Sequence, residues 1–120
     1  MSPRAAKATP AERNLLEKDW QRNVLRVAAL YQWNLTYHTF DSRRSAPGFP
    51  DLILLKGSRM LAVELKREDG RLSPEQRAWL VGLEAAGIEV DVWRPSDLTE
   101  VVAILAGREV CRGVPVLASR

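Results

Sequence analysis

Two carboxylates and a lysine stand where one tight turn of chain would bring them together. Asp51 heads an apolar run, and Glu64 and Lys66 close the next one. Between the runs lies Lys56-Gly57-Ser58-Arg59. Gly57-Ser58 suits a two-residue hairpin turn, with glycine in the first central position of a type II′ turn. That turn makes Lys56 face Arg59, Leu55 face Met60 and Ile53 face Ala62. One step further along the ladder, Asp51 is predicted directly opposite Glu64. Alternation then puts Lys66 on the same face. Like charges so opposed are destabilising unless something neutralises them. A hard divalent cation such as magnesium does this through carboxylate oxygens. Lys66 would then hold a phosphate oxygen or lower the pKa of an attacking water. The bland alternative is a pair of solvated carboxylates, one of them bonded to Lys66. The neighbours Leu52, Ile53, Leu54, Leu61, Ala62 and Val63 weigh against it, because carboxylates on so apolar a sheet need a partner.

A third acid is available from the first predicted helix. Thr9-Pro10-Ala11-Glu12 reads as a capping box with proline at the first helical position. Leu16, Trp20, Val24, Val27 and Tyr31 then recur at helical spacing, so one helix is predicted over residues 10–31. Glu17 lies at the edge of the Trp20–Val24–Ala28 stripe, whereas Asp19 is turned toward solvent. Glu17 therefore either reaches toward the hairpin or simply answers the helix dipole.

The remaining elements follow in order. Residues 33–40 read as a strand and residues 41–48 as a loop. After a polar loop over 67–72, Ser73-Pro74-Glu75-Gln76 repeats the helix start signal. Trp79, Leu80, Leu83 and Ala86 form the stripe expected to be buried, and Gly87 ends that helix. Residues 88–93 alternate as a strand with Glu89 and Asp91 on a wet face. Trp79 and Trp93 sit in apolar periods and are expected in the core in preference to serving as base-stacking platforms. Pro95-Ser96-Asp97 opens a last helix that stops at Gly107. The order is α-β-β-β-α-β-α, an α/β arrangement with a mixed sheet flanked by helices. Residues 1–8 read as a flexible tail, 9–107 as the folded domain and 108–120 as a C-terminal extension.

With 120 residues, 46% hydrophobic and 28% charged, the chain fits one compact domain with an ordinary core. A net charge of +3 is compatible with a polyanionic partner. No apolar run reaches the roughly 20 residues of a membrane span, and no leader is expected. The lone cysteine, Cys111, excludes an internal disulfide and a thiol-based zinc site, which makes a reducing cytoplasm the expected home.

Five stretches in order carry a resemblance. They are Glu17-Lys18-Asp19-Trp20-Gln21, Tyr37-His38-Thr39-Phe40-Asp41-Ser42-Arg43-Arg44, Gly48-Phe49-Pro50-Asp51, Glu64-Leu65-Lys66 and Leu72-Ser73-Pro74-Glu75-Gln76. Across roughly residues 14–105 the chain resembles the virus-type replication-repair nuclease (VRR-NUC) domain of the PD-(D/E)xK superfamily. The resemblance implies a restriction-endonuclease-like core and a phosphodiesterase acting on DNA, without an organic cofactor. It implies that Glu17, Asp51 and Glu64 bind magnesium or manganese, with the Leu65 carbonyl as a further ligand. It gives Lys66 the role of assisting the water and places Gln76 in the motif set, although Gln76 also completes a capping box and the two roles compete for one amide. Arg43, Arg44, Arg67 and Arg71 either rim the site and grip phosphates or are solvated loop charges. His38, the lone histidine, is either hydrogen-bonded near the DNA surface or a general base. Standalone relatives imply a homodimer cutting branched DNA such as four-way (Holliday) junctions, in the manner of a DNA repair enzyme, and a phage or mobile-element origin in a bacterial host. A partner-dependent restriction or DNA-end-processing nuclease and a non-catalytic DNA-binding module are the alternatives. Val114-Pro115-Val116-Leu117 is apolar enough to contribute to a dimer interface.

Overall fold

The computed structural model describes residues 9–39 and 46–110, with Arg13 described by its backbone alone. Helix α1 (Pro10–Asn14) is capped by Thr9, whose hydroxyl accepts from Glu12 N while Glu12 reaches back to Thr9 N. The helix then stops, contrary to the uninterrupted helix expected over 10–31. Leu15 and Leu16 are extended, and α2 runs Glu17–Leu30. The interruption lets Leu15 turn inward against the core while α1 rests on the later 3-10 turn. It also starts a fresh helix at Glu17, so Glu17 and Asp19 stand in its first turn, where acids are favoured by the helix dipole.

Strands β1 (Leu35–His38), β2 (Leu52–Lys56), β3 (Arg59–Leu65) and β4 (Glu89–Trp93) form one sheet in the order β1-β2-β3-β4. The first three are antiparallel neighbours, and β4 joins β3 in parallel after the crossover helix α3 (Pro74–Ala85). A 3-10 turn (Pro95–Asp97) leads into α4 (Leu98–Leu105). The mixed α/β order expected from the sequence is therefore the observed one, with the first helix divided. Strand β1 is shorter than the expected 33–40. Trp33 leaves the sheet direction and is buried in the core, its indole N–H donating to the Leu105 carbonyl at 2.9 Å.

The hairpin register is the expected one: Lys56 faces Arg59, Leu55 faces Met60 and Ile53 faces Ala62. Gly57 has φ +59° and Ser58 stays out of the left-handed region, as a type II′ turn requires. This register sorts the strands into two faces. Leu52, Leu54, Leu61, Val63 and Leu65 pack with Trp20, Val24 and Ala28 of α2 and with Val101, Ile104 and Leu105 of α4. Ala62, Val90 and Val92 lie on the other face, under Leu80 of α3.

Two further expectations are corrected here. Strand β4 has no wet face, since Asp91 is buried. It is tolerated because its oxygens accept from Val92 N at 2.8 Å and from the Trp93 indole at 2.9 Å. In α3, Leu80 alone is fully buried, whereas Trp79 is 37% exposed and Ala86 lies on the surface. Helix α3 lies over β3 and β4, so the β1 residues of that face, Leu35 and Tyr37, remain exposed. Trp93 is in the core as expected. The flexible tail expected over 1–8, the Arg43-Arg44 part of the loop and the Val114–Leu117 stretch fall outside the described residues.

Candidate active site

Asp51 stands one residue before β2, its place fixed by the end of β1. Thr39 N donates to the Asp51 carbonyl at 2.9 Å, and the Thr39 hydroxyl to the Pro50 carbonyl at 2.9 Å. Leu52 pairs with Val63, so the next step of the ladder sets Asp51 against Glu64, as the sequence predicts. The Asp51 side chain bends along the strand end, where Oδ2 accepts from Leu65 N at 2.9 Å. The N–H and C=O of one residue in an antiparallel ladder point to the same neighbour. The Leu65 carbonyl therefore lies on the Asp51 side, beyond the last paired residue of β2.

Glu64 is 2% exposed. One oxygen, Oε1, accepts from the Gln76 amide nitrogen at 3.2 Å; the other, Oε2, is buried with no hydrogen-bond partner among the described residues. Burial pushes its carboxyl up to about 10, and the Asp51 carboxyl, close enough to compete for the same proton, adds to this. The charge of Lys66 pulls the other way, and that of Glu17 pushes up again. Asp51, Lys66 and Glu17 are thus each within electrostatic reach of Glu64. Glu17 itself stays exposed at the start of α2, and among the described residues no three His, Cys, Asp or Glu side chains gather closely enough to hold a metal ion unaided. Asp51 and Glu64 are brought together; Glu17 is brought near.

Gln76 resolves the competition expected for its amide. Its oxygen accepts from Ser73 N at 2.8 Å to complete the capping box, while its nitrogen serves Glu64. A backbone donor on one side and a carboxylate on the other fix which end of the amide faces which. Gly48 governs how closely α3 approaches, and sequence reasoning gives this residue no role of its own. Its φ is +85°, and a Cβ there would clash with the Glu75 carbonyl carbon and lie 2.6 Å from Gln76 N. The loop that presents Asp51 therefore rests directly on the turn that presents Gln76. The only sequence signal is the Pro47-Gly48 turn dipeptide.

Lys66 follows β3 and is held by its backbone, with Lys66 N donating to the Trp93 carbonyl at 3.1 Å. The indole N–H of Trp20 donates to the same carbonyl at 2.9 Å, which ties the first turn of α2, and Glu17 with it, to the end of the sheet. Past Lys66 the chain is braced by the buried Glu68, which accepts from the backbone and hydroxyl of Ser96, and by Arg94, which donates to the Gly70 carbonyl at 2.6 Å. Of the expected phosphate-gripping residues, Arg71 is exposed, Arg67 lies 3.9 Å from Asp69, and His38 is half-buried on β1. Arg43 and Arg44 lie outside the described residues.

The antiparallel hairpin of this mixed sheet thus ends in a half-buried aspartate beside a buried glutamate, with a lysine two residues further on. A family model for the VRR-NUC domain matches residues 7–97, which is most of the chain, and the protein belongs to that family. No curated protein and no solved structure matches it. Family membership makes the chain a nuclease domain, with DNA as its substrate. Among the described residues no helix is long and apolar enough to cross a membrane.

Proposed function

We propose that the protein is a magnesium- or manganese-dependent, structure-selective DNA endonuclease that cuts branched DNA, such as four-way junctions, as a homodimer. The observation that carries the metal dependence is the unpartnered Glu64 Oε2, buried beside Asp51 on a carboxyl pushed up to about 10. An acid so placed must keep a proton or exchange it for a cation. Asp51, Glu64 and the Leu65 carbonyl offer only oxygens, which fits a hard cation; one histidine and one cysteine in the chain make zinc a poor fit. Glu17, set back from the pair, would act through the waters that magnesium retains. Bound there, the ion would stabilise negative charge on the phosphate oxygens and lower the pKa of a water.

The chain's own groups supply the rest. Gln76 holds the Glu64 carboxylate in one orientation, and Leu65 N does the same for Asp51. Lys66, on the same face, donates to a phosphate oxygen or takes part in water activation. Arg67 and Arg71 leave the same end of the sheet and would position the DNA backbone. Exposed Leu35 and Tyr37 offer apolar surface to a second copy, and a two-fold pair would present two sites to symmetric strands of a junction. The natural setting of this reading is a reducing cytoplasm, in a bacterial host of a phage or mobile element.

The test is cleavage of a labelled four-way junction and a matched linear duplex, with manganese or with chelator, by wild type and Glu64→Gln. Junction cutting that needs the metal and is lost in the variant is the expected result. Equal cutting of both substrates would remove the junction preference, and binding without cutting under any metal would favour a DNA-binding module. Light scattering at micromolar concentration tests the dimer, which a monomer would refute.

A further inference from the structure

Trp79, whose apolar stripe predicts a core position, is instead 37% exposed, three residues after Gln76 in α3. Its ring is not loose. Phe49 packs against it edge-on, with centroids 5.1 Å apart and planes at 78°. Phe49 belongs to the Gly48-Phe49-Pro50-Asp51 loop, which also rests on the Glu75–Gln76 peptide. The indole is therefore clamped between the loop that presents Asp51 and the helix that presents Gln76. Only Pro50 separates Phe49 from Asp51, which at about 3.5 Å per residue keeps the indole within a nucleotide or two of the carboxylates.

One turn along α3 the surface opens. Ala78, Trp79, Gly82 and Leu83 line a shallow apolar groove of about 310 Å³. Gly82 sits inside the helix, where glycine costs about 1 kcal/mol relative to alanine. Among the described residues a Cβ at Gly82 would meet nothing within 4 Å, so no packing among them calls for glycine there. An open shelf beside a pre-oriented indole has the shape and chemistry to take a flat, apolar-faced group. Among the described residues none of its lining is charged, which makes it unsuited to a phosphate.

We infer that Trp79 and the Gly82 shelf form a stacking platform for an unpaired nucleobase of the DNA flanking the scissile phosphate. The inference rests on the DNA-cleavage reading above and narrows its substrate. A base inside a continuous duplex has both faces covered by its neighbours, so the platform favours DNA with an unstacked nucleotide next to the cut. Base–aromatic stacking contributes about 1–3 kcal/mol, which corresponds to roughly 5- to 150-fold in affinity.

The tryptophans themselves provide the readout. Trp20, Trp33 and Trp93 are at most 2% exposed, so Trp79 is the one of the four that acrylamide can quench readily. In chelator, where binding is separated from cutting, a branched oligonucleotide with unpaired nucleotides should shield that fluorescence from acrylamide. A blunt duplex should shield it much less. Trp79→Leu should weaken binding of the branched DNA by roughly fivefold or more, the lower end of the stacking range, and Trp79→Phe by less. Gly82→Leu fills the shelf and leaves both partners of the Phe49–Trp79 contact unaltered in sequence; it should weaken binding similarly while leaving the melting temperature equal or higher, which separates a binding loss from misfolding. Branched DNA that binds without shielding Trp79, or a Gly82→Leu protein that binds normally, would overturn the platform and leave the nuclease reading intact. Shielding that depends on protein concentration instead of DNA would also overturn it, by assigning the groove to a second copy. Failure of the nuclease reading would appear separately, as absence of metal-dependent cutting.

Discussion

Replacing Glu64 with glutamine keeps the shape of the side chain and removes its titration. In the folded protein that carboxyl is pushed up to about 10 from an ordinary 4.5, by burial first and by Asp51 second. Between those values the metal-free folded state holds a proton that the unfolded chain has released. Stability contributed by the proton is complete below about pH 4.5 and is lost progressively as pH rises toward 10. One proton of difference corresponds to at most about tenfold in the folding equilibrium per pH unit. From about pH 6 to pH 8 the upper limit is roughly a hundredfold, or about 3 kcal/mol, a large part of the roughly 5–15 kcal/mol typical of a domain. The Lys66 charge reduces the figure. The amide introduced by Glu64→Gln can still accept from Gln76 and needs no proton, so the variant should be nearly free of this slope. The assay is urea denaturation in chelator at several pH values, wild type against Glu64→Gln. The variant should gain on the wild type steadily as pH rises. Parallel stability curves would show that Glu64 is not a high-pKa acid and would sink the reasoning.

Gly48→Ala should cost about 2–4 kcal/mol, combining an unfavourable positive φ with a clash against backbone that cannot move aside. Thermal melting checks it, and unchanged stability would refute the close approach. Gln76→Ala removes half of a capping box and the amide that donates to Glu64 Oε1. It should lose about 1–2 kcal/mol by denaturant titration and lower the cleavage rate as well. Trp20→Phe should lose about 1 kcal/mol with its hydrogen bond to the Trp93 carbonyl, and a wild-type melting curve would refute that anchor. Manganese at about a hundred times its dissociation constant should stabilise the wild type by about 2.7 kcal/mol. The same concentration should leave Glu64→Gln nearly unmoved, and equal shifts in both would place the metal elsewhere.

The hairpin is legible because two independent local signals agree on its register: the Gly57-Ser58 turn and the apolar alternation on both sides. The pairing of Asp51 with Glu64 follows from that register alone. The dual use of Gln76 is half legible, since the capping box is a sequence pattern but the path of its nitrogen to Glu64 depends on how α3 crosses the sheet. Three features are tertiary, and periodicity cannot report them. The break at Leu15–Leu16 occurs within an unbroken helical pattern because Leu15 finds core contacts sideways from the helix. Asp91 reads as solvated because alternation cannot tell a wet face from one where an indole supplies the missing donor. Trp79 reads as core because its stripe is apolar, yet α3 covers only part of the sheet. Helical phase separates Glu17 from Asp19, and the charge of Glu17 does reach Glu64. How far it stands from the pair is a property of the helix start that the break created.

The hairpin that opposes Asp51 to Glu64 is closed by a two-residue turn, and this bears on the order of events in folding. Contacts across so short a loop form in microseconds, before a crossover helix can be laid over them. The two acids therefore meet while the β3 end is still wet, and Gln76 and the burial that traps a proton arrive only with α3. On this order, the last stage of folding is expected to desolvate a carboxylate pair already assembled, with the neutralising proton or cation entering as the crossover helix docks. Ionic conditions are therefore expected to act on the speed at which this molecule reaches its native state as well as on how firmly it stays there, and a refolding rate insensitive to pH and divalent cations would refute this order.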